Sequence, residues 1–221
     1  MRTANRLVPF LLVIGALMFI RAPFMIDAAP YESTMGLVQK IFYYHVPSAV
    51  FALLSAFVCG AASGVFLWRR TPTADRIALA AAELVVVFGA VTLITGPLWA
   101  RKAWGIWWDW EPRLTLTFVL WMSFAGLLML RRFGGPGSEV MAAAVGLFGA
   151  VLAPFVYWSV NLWRTLHPTT NVVMTLQGDM RTVFFWCLVA FLFLYVALLL
   201  TRVRVEAEAA ALEEAYAALE D

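Results

Sequence analysis

Apolar residues run along this chain in six long blocks, at about 7–26, 46–68, 77–99, 114–130, 139–160 and 182–201. A hydrocarbon layer about 30 Å thick takes roughly 20 helical residues, and backbone polar groups in lipid must be satisfied within the segment. Each block therefore predicts a membrane-spanning helix. The fourth is the shortest, and its start can lie inside a tryptophan-rich connection. The pattern predicts an all-α integral membrane protein: six transmembrane helices with a tryptophan-rich outer loop, in one membrane domain over 1–204. No internal repeat is visible.

Two ends need separate treatment. Residues 1–26, with Arg2 and Arg6 ahead of an apolar stretch, also fit a signal peptide. The run is long for that purpose and no clear small-x-small site follows, so it is read as the first span. Residues 205–221 are rich in Ala and Glu, with Leu212, Tyr216 and Leu219 at helical spacing. They predict a short amphipathic helix, an acidic cytoplasmic tail beyond the last span.

Composition sharpens the class. The 221 residues are 63% hydrophobic and 14% charged, with a mean hydropathy of +0.82. Soluble domains carry roughly 25% charged residues, so the lipid bilayer is the partner of most of this surface, and no nucleic-acid partner is expected. Cys59 and Cys187 lie deep in apolar runs without CxxC spacing, which excludes a disulfide framework, a zinc site or a thiol relay. Glu83 is the one acid well inside a span, a functional candidate by default although it is near a hydrated end.

By parity, six spans put the connections at 21–45, 99–113 and 161–181 on one side. These hold seven Lys and Arg in 61 positions, against nine in 42 on the other side. The positive-inside tendency then predicts that both termini are cytoplasmic.

The connection at 99–115 stands apart. Trp99, Trp104, Trp107, Trp108 and Trp110 are five of the chain's ten tryptophans, interleaved with Arg101, Lys102, Asp109, Glu111 and Arg113. One or two tryptophans are ordinary interfacial anchors. Five within twelve residues form an aromatic surface edged with charge, suited to a large, flat, partly anionic ligand. Asp109 and Glu111 also read as salt links to Arg113 or Arg101 that hold the loop's shape. No nucleophile–base arrangement stands out, so no enzyme activity is expected.

The two histidines, His45 and His167, both fall on the side of this loop. Pro47 suits a helix that starts just after His45, and Pro168 biases His167 toward extended backbone in a loop. A lone interfacial histidine is ordinary. Two histidines on one face beside an aromatic platform supply two axial ligands for haem iron and a stacking surface. Arg21, Lys40, Arg101, Lys102, Arg113, Arg164 and Arg181 share that face, and arginine grips carboxylates such as haem propionates in bidentate fashion.

The run Trp104-Gly-Ile-Trp107-Trp108-Asp-Trp110-Glu-Pro-Arg113-Leu-Thr115 resembles the tryptophan-rich signature of the haem-handling membrane proteins of cytochrome c biogenesis. Tyr44-His45-Val46-Pro47, Thr165-Leu166-His167 and the length with six spans resemble one branch of them, the cytochrome c maturation protein C or haem exporter protein C family. The resemblance covers the chain apart from its acidic tail. It implies haem b as cofactor, with His45 and His167 as iron ligands. It implies that Trp104, Trp107, Trp108, Trp110, Glu111, Arg113, Arg101 and Lys102 cradle it at the periplasmic face of a bacterial inner membrane. It further implies delivery to a membrane-anchored periplasmic haem chaperone, with ATP-binding-cassette subunits as complex partners. Glu111 stands where the signature usually has Asp, one methylene shorter.

Three other readings fit less well. The haem subunit of the single-complex cytochrome c synthase carries the same signature on more spans, with further histidines. An electron-transferring b-type cytochrome needs haem clamped between helices inside the bilayer, and no predicted span contains a histidine. Transporters show broken helices and polar residues at the midplane, which are scarce here.

Overall fold

The computed structural model describes residues 2–169 and 171–220. Met1 and Asp221, where the predicted membrane domain begins and the predicted tail ends, lie outside the described residues. The helices are α1 (Arg2–Ala28), α2 (Phe42–Arg69), α3 (Pro72–Ala103), α4 (Pro112–Phe133), α5 (Ser138–Leu162), the short α6 (Val172–Thr175) and α7 (Gly178–Glu220), with a 3₁₀ turn over Leu37–Ile41 leading into α2. All but α6 are long and apolar enough to cross a membrane. The protein is an all-α multi-pass membrane protein, with no strand among the described residues.

Local chemistry sets the boundaries. Pro72 and Pro112 occupy the first turns of α3 and α4, where a missing N–H removes nothing the helix needs. Consequently α3 begins five residues ahead of its apolar block. Between Gly178 and Glu220 there is no Pro or further Gly. The tail predicted as a separate short helix therefore continues α7 without a break, giving one rod of roughly 65 Å at 1.5 Å per residue.

α2 and α3 lie side by side at the centre, with α7 on one flank and α1 outside it, and α4 and α5 on the other. Small residues bring the helices close, as is usual where lipid removes the hydrophobic drive for association. A Cβ built at Gly60 of α2 would lie 2.2 Å from Ala150 Cβ of α5, and one at Gly149 would lie 2.3 Å from Phe124 Cε2 of α4. Phe124 is fully buried and cannot yield. Gly149→Ala should therefore lower stability by about 1–3 kcal/mol through overpacking, read as a lower melting midpoint in detergent. Gly126→Ala, which meets nothing within 4 Å, should leave the midpoint unchanged; equal losses would refute this account of the α4–α5 contact.

At the end opposite the histidines, charged pairs fix the helices to one another. Arg131 of α4 donates two hydrogen bonds to Asp75 of α3, at 3.0 and 2.7 Å. Glu83 is bonded by Arg202 of α7, whose guanidinium also reaches Glu206 at 2.7 Å. The acid inside the third span thus has a structural partner, a clamp between α3 and α7.

Candidate functional site

His45 is the fourth residue of α2, so the helix starts before the histidine rather than after it. Pro47 then sits inside the helix and deletes one backbone hydrogen bond. Burial of Phe42 and Tyr43 against Trp99 and Phe184 holds the turn regardless. The imidazole is itself buried, edge-on to Trp99 with ring centroids 5.6 Å apart. A Cβ at Gly96 would lie 3.3 Å from His45 Cε1, so the ring rests close against the backbone of α3.

Each imidazole has its Nδ1 paired with an oxygen. His45 Nδ1 lies 2.8 Å from Thr95 Oγ1, a hydroxyl that also lies 2.7 Å from the Val91 carbonyl. His167 Nδ1 lies 2.8 Å from the Pro168 carbonyl, which can only accept, so that ring carries its proton on Nδ1 and keeps its Nε2 lone pair for a metal. An Nδ1–H bound to a backbone or side-chain oxygen is the usual way proteins orient a metal-binding imidazole. Burial, with Arg113 close by, pushes the His167 imidazole down to about 4. Below its unfolded value near 6.5 and down to that point, the folded chain still holds this ring neutral, so at neutral pH it is an uncharged donor.

Both histidines line one cavity of about 820 Å³, walled by α2, Tyr157 of α5, the 167–177 segment and the start of α7. That volume lies within the roughly 300–1,000 Å³ common for small-molecule sites. A narrower chamber of about 90 Å³ continues from the same histidines, Arg113 and Trp99 inward between α2, α3 and α4. Trp104 and Trp108 line this inner chamber. Arg113 borders both spaces, and its guanidinium is anchored by one bond to the Tyr157 carbonyl at 3.0 Å.

The structure divides the tryptophan-rich loop into parts with different surroundings. Trp110 turns away from the histidines into a shallow recess of about 490 Å³, shared with Trp108, Phe118 and Trp121. Trp107 is exposed and borders none of these spaces. Arg101 folds back on its own loop, donating to the Gly105 carbonyl at 2.5 Å, and Lys102 is exposed away from the cavity. Lys40 is committed to the Asp27 carbonyl at 2.6 Å and to the face of Tyr31. Of the seven basic residues on this face, Arg113 is the one among the cavity-lining residues. Glu111 makes no ion pair with Arg101 or Arg113 among the described residues. Its carboxylate instead accepts from the Leu166 amide at 2.8 Å and from the Thr165 hydroxyl.

The family model for Heme exporter protein C matches residues 1–218. The chain belongs to the Heme exporter protein C family. It is 36% identical to the Heme exporter protein C of Bradyrhizobium diazoefficiens over 174 residues, which cover 76% of this chain and 65% of that one. It is 32% identical to the Escherichia coli K12 protein of the same name over 184 residues, 80% of this chain and 73% of that one. A Marchantia polymorpha protein described as a putative cytochrome c biosynthesis ccmC-like mitochondrial protein is 30% identical over 144 residues, 65% of this chain and 61% of its own length.

For this Heme exporter protein C family member, sequence reasoning missed residues that build the site. Thr95 and Gly96 receive the His45 ring beside Trp99, which packs on its edge, and Thr165 ties the His167 loop. A signal was available for the first two. Thr95 and Gly96 fall four and three residues before Trp99, at helical spacing on the face of α3 that closes on α2. No comparable signal existed for Thr165, whose partner is 54 residues away.

Proposed function

We propose that this chain binds haem b between His45 and His167 at the periplasmic face of a bacterial inner membrane, and delivers it during cytochrome c biogenesis to a membrane-anchored periplasmic haem chaperone. Haem is cargo in this reading, and the chain performs no bond chemistry. The observation that carries it is the pair of imidazoles, each with a hydrogen-bond partner at Nδ1, lining one shared cavity. Trp99, Trp104 and Trp108 supply aromatic faces beside them, and Arg113 supplies a cation for a propionate. The names of the relatives above fit haem export and cytochrome c biosynthesis, and complex partners of the ATP-binding-cassette type follow from the same family reading. The basic bias of the opposite loops supports cytoplasmic termini.

Openness supports delivery over storage. One ligand sits on a loop and the other in the first turn of a helix, and the exposed Trp107 and Trp110 of the neighbouring loop lie where a second protein can reach. The test is co-expression with such a chaperone, followed by measurement of haem on the chaperone. Substituting Trp104, Trp108 and Arg113 together should lower that loading at least about tenfold, since one aromatic face alone contributes roughly 1–3 kcal/mol. Loading equal to that of the unmodified protein would overturn the delivery reading even if haem binding were confirmed.

A further inference from the structure

Glu111 is the N-cap residue of α4, with extended backbone angles, yet its side chain makes no capping bond to its own helix. A shorter polar side chain such as Asp at this position ordinarily bonds the exposed amides of the first turn. Here the side chain is buried and crosses to another loop. Its Oε2 accepts from the Leu166 amide at 2.8 Å and from the Thr165 hydroxyl. The Thr165 oxygen, its own proton given to the carboxylate, accepts from the His167 amide at 3.0 Å. One carboxylate oxygen thus orders two consecutive amides of the loop that carries His167, one directly and one through a hydroxyl. Backbone–backbone bonds flank this loop at Trp163–Ser159 and Val172–Thr169. Between them, side chains meet the Leu166 and His167 amides.

The geometry points to Glu111 as a positioning residue: its carboxylate clamps the His167 loop to the tryptophan-rich loop and so fixes where the imidazole is presented. The inference rests on the reading of His167 as a haem ligand. Its physical basis is the strength of charge-assisted hydrogen bonds in a buried setting and the absence of a regular helix to hold residues 163–168. His167 is fixed at two points, its amide through Thr165 and its ring through the Pro168 carbonyl. Only the first of these depends on Glu111. The clamp acts on one ligand alone, since His45 is held by α2 and Thr95.

The test compares Glu111→Ala, Thr165→Val and His167→Ala in the haem-loaded full-length protein, by absorption and electron paramagnetic resonance. Glu111→Ala and Thr165→Val should each lower the ratio of six-coordinate low-spin to five-coordinate high-spin haem about tenfold, the scale of losing a charge-assisted hydrogen bond. Added imidazole should restore the low-spin signal in both, as in His167→Ala, because a small free ligand can fill the position the loop no longer holds. A general loss of fold would not be rescued in this way. An unmodified low-spin spectrum in both variants overturns the clamp while leaving His167 as a ligand. An unmodified spectrum in His167→Ala removes the ligand assignment, and the clamp with it. If Glu111→Ala fails to accumulate, Thr165→Val, which deletes a single hydroxyl, decides by the same criterion.

Discussion

Replacing His45 and His167 together by alanine is expected to abolish the low-spin haem spectrum of the purified protein, the largest effect of any pair of substitutions in this chain. The two imidazoles are the only histidines in the sequence, so no third can substitute. Each Nδ1 is already paired with an oxygen, Thr95 Oγ1 for one and the Pro168 carbonyl for the other. Each Nε2 is therefore the donor left for iron. Either single variant should retain haem on the remaining ligand with a five-coordinate, high-spin spectrum. The double variant should bind haem weakly, through aromatic contact and Arg113 alone. A low-spin spectrum that survives the double substitution would show that the iron is ligated elsewhere.

Trp108→Ala should weaken haem retention roughly five- to hundredfold, the range of about 1–3 kcal/mol for losing one aromatic face under a flat ring system, whereas Trp107→Ala should have little effect on retention. The two residues are adjacent and identical in type, and their surroundings alone separate them. Trp108 lines the chamber next to the histidines and packs edge-on to Trp110 and Phe118. Trp107 is 57% exposed and borders no cavity. Trp68→Ala, at an exposed site stacked by Arg69 on the opposite end, is the control for general perturbation. Haem retention on a purified sample, measured by transfer to an excess of apomyoglobin, provides the readout. Equal losses at Trp107 and Trp108 would remove the distinction between a binding wall and an exposed loop residue.

The helical plan was legible because lipid leaves a chain few options. Every backbone group must be satisfied within its own segment, so six apolar blocks became six spans. Boundaries were less legible, for identifiable reasons. The count of apolar residues finds the part of a helix that lies in lipid and misses polar extensions such as Pro72–Arg76 and the last turn of α3, 100–103. Pro47 was read as a start signal from its local preference, but aromatic packing around Phe42 and Tyr43 overrode that preference and carried α2 past His45. The tail was read as separate because its composition changes, although nothing in the sequence breaks the helix there.

The candidate site divided in the same way. By itself, the sequence determined which chemistry is present and on which face: six spans, two histidines and five tryptophans sharing one end, and one motif with its family resemblance. These follow from composition, parity and spacing, which are one-dimensional properties. Only the tertiary structure decided which of those residues meet. It brought Trp104, Trp108 and Arg113 to the histidines, turned Trp110 into a separate recess and left Trp107 and Lys102 at the surface. It committed Arg101 and Lys40 to nearby carbonyls, and it aimed Glu111 at Thr165 rather than at an arginine. The physical reason is that a connection's residue types do not fix the directions of its side chains. Those directions come from hydrogen bonds and packing, and at His45 and Glu111 the partners, Thr95 and Thr165, are 50 or more residues away, a pairing that residue types along one segment do not specify.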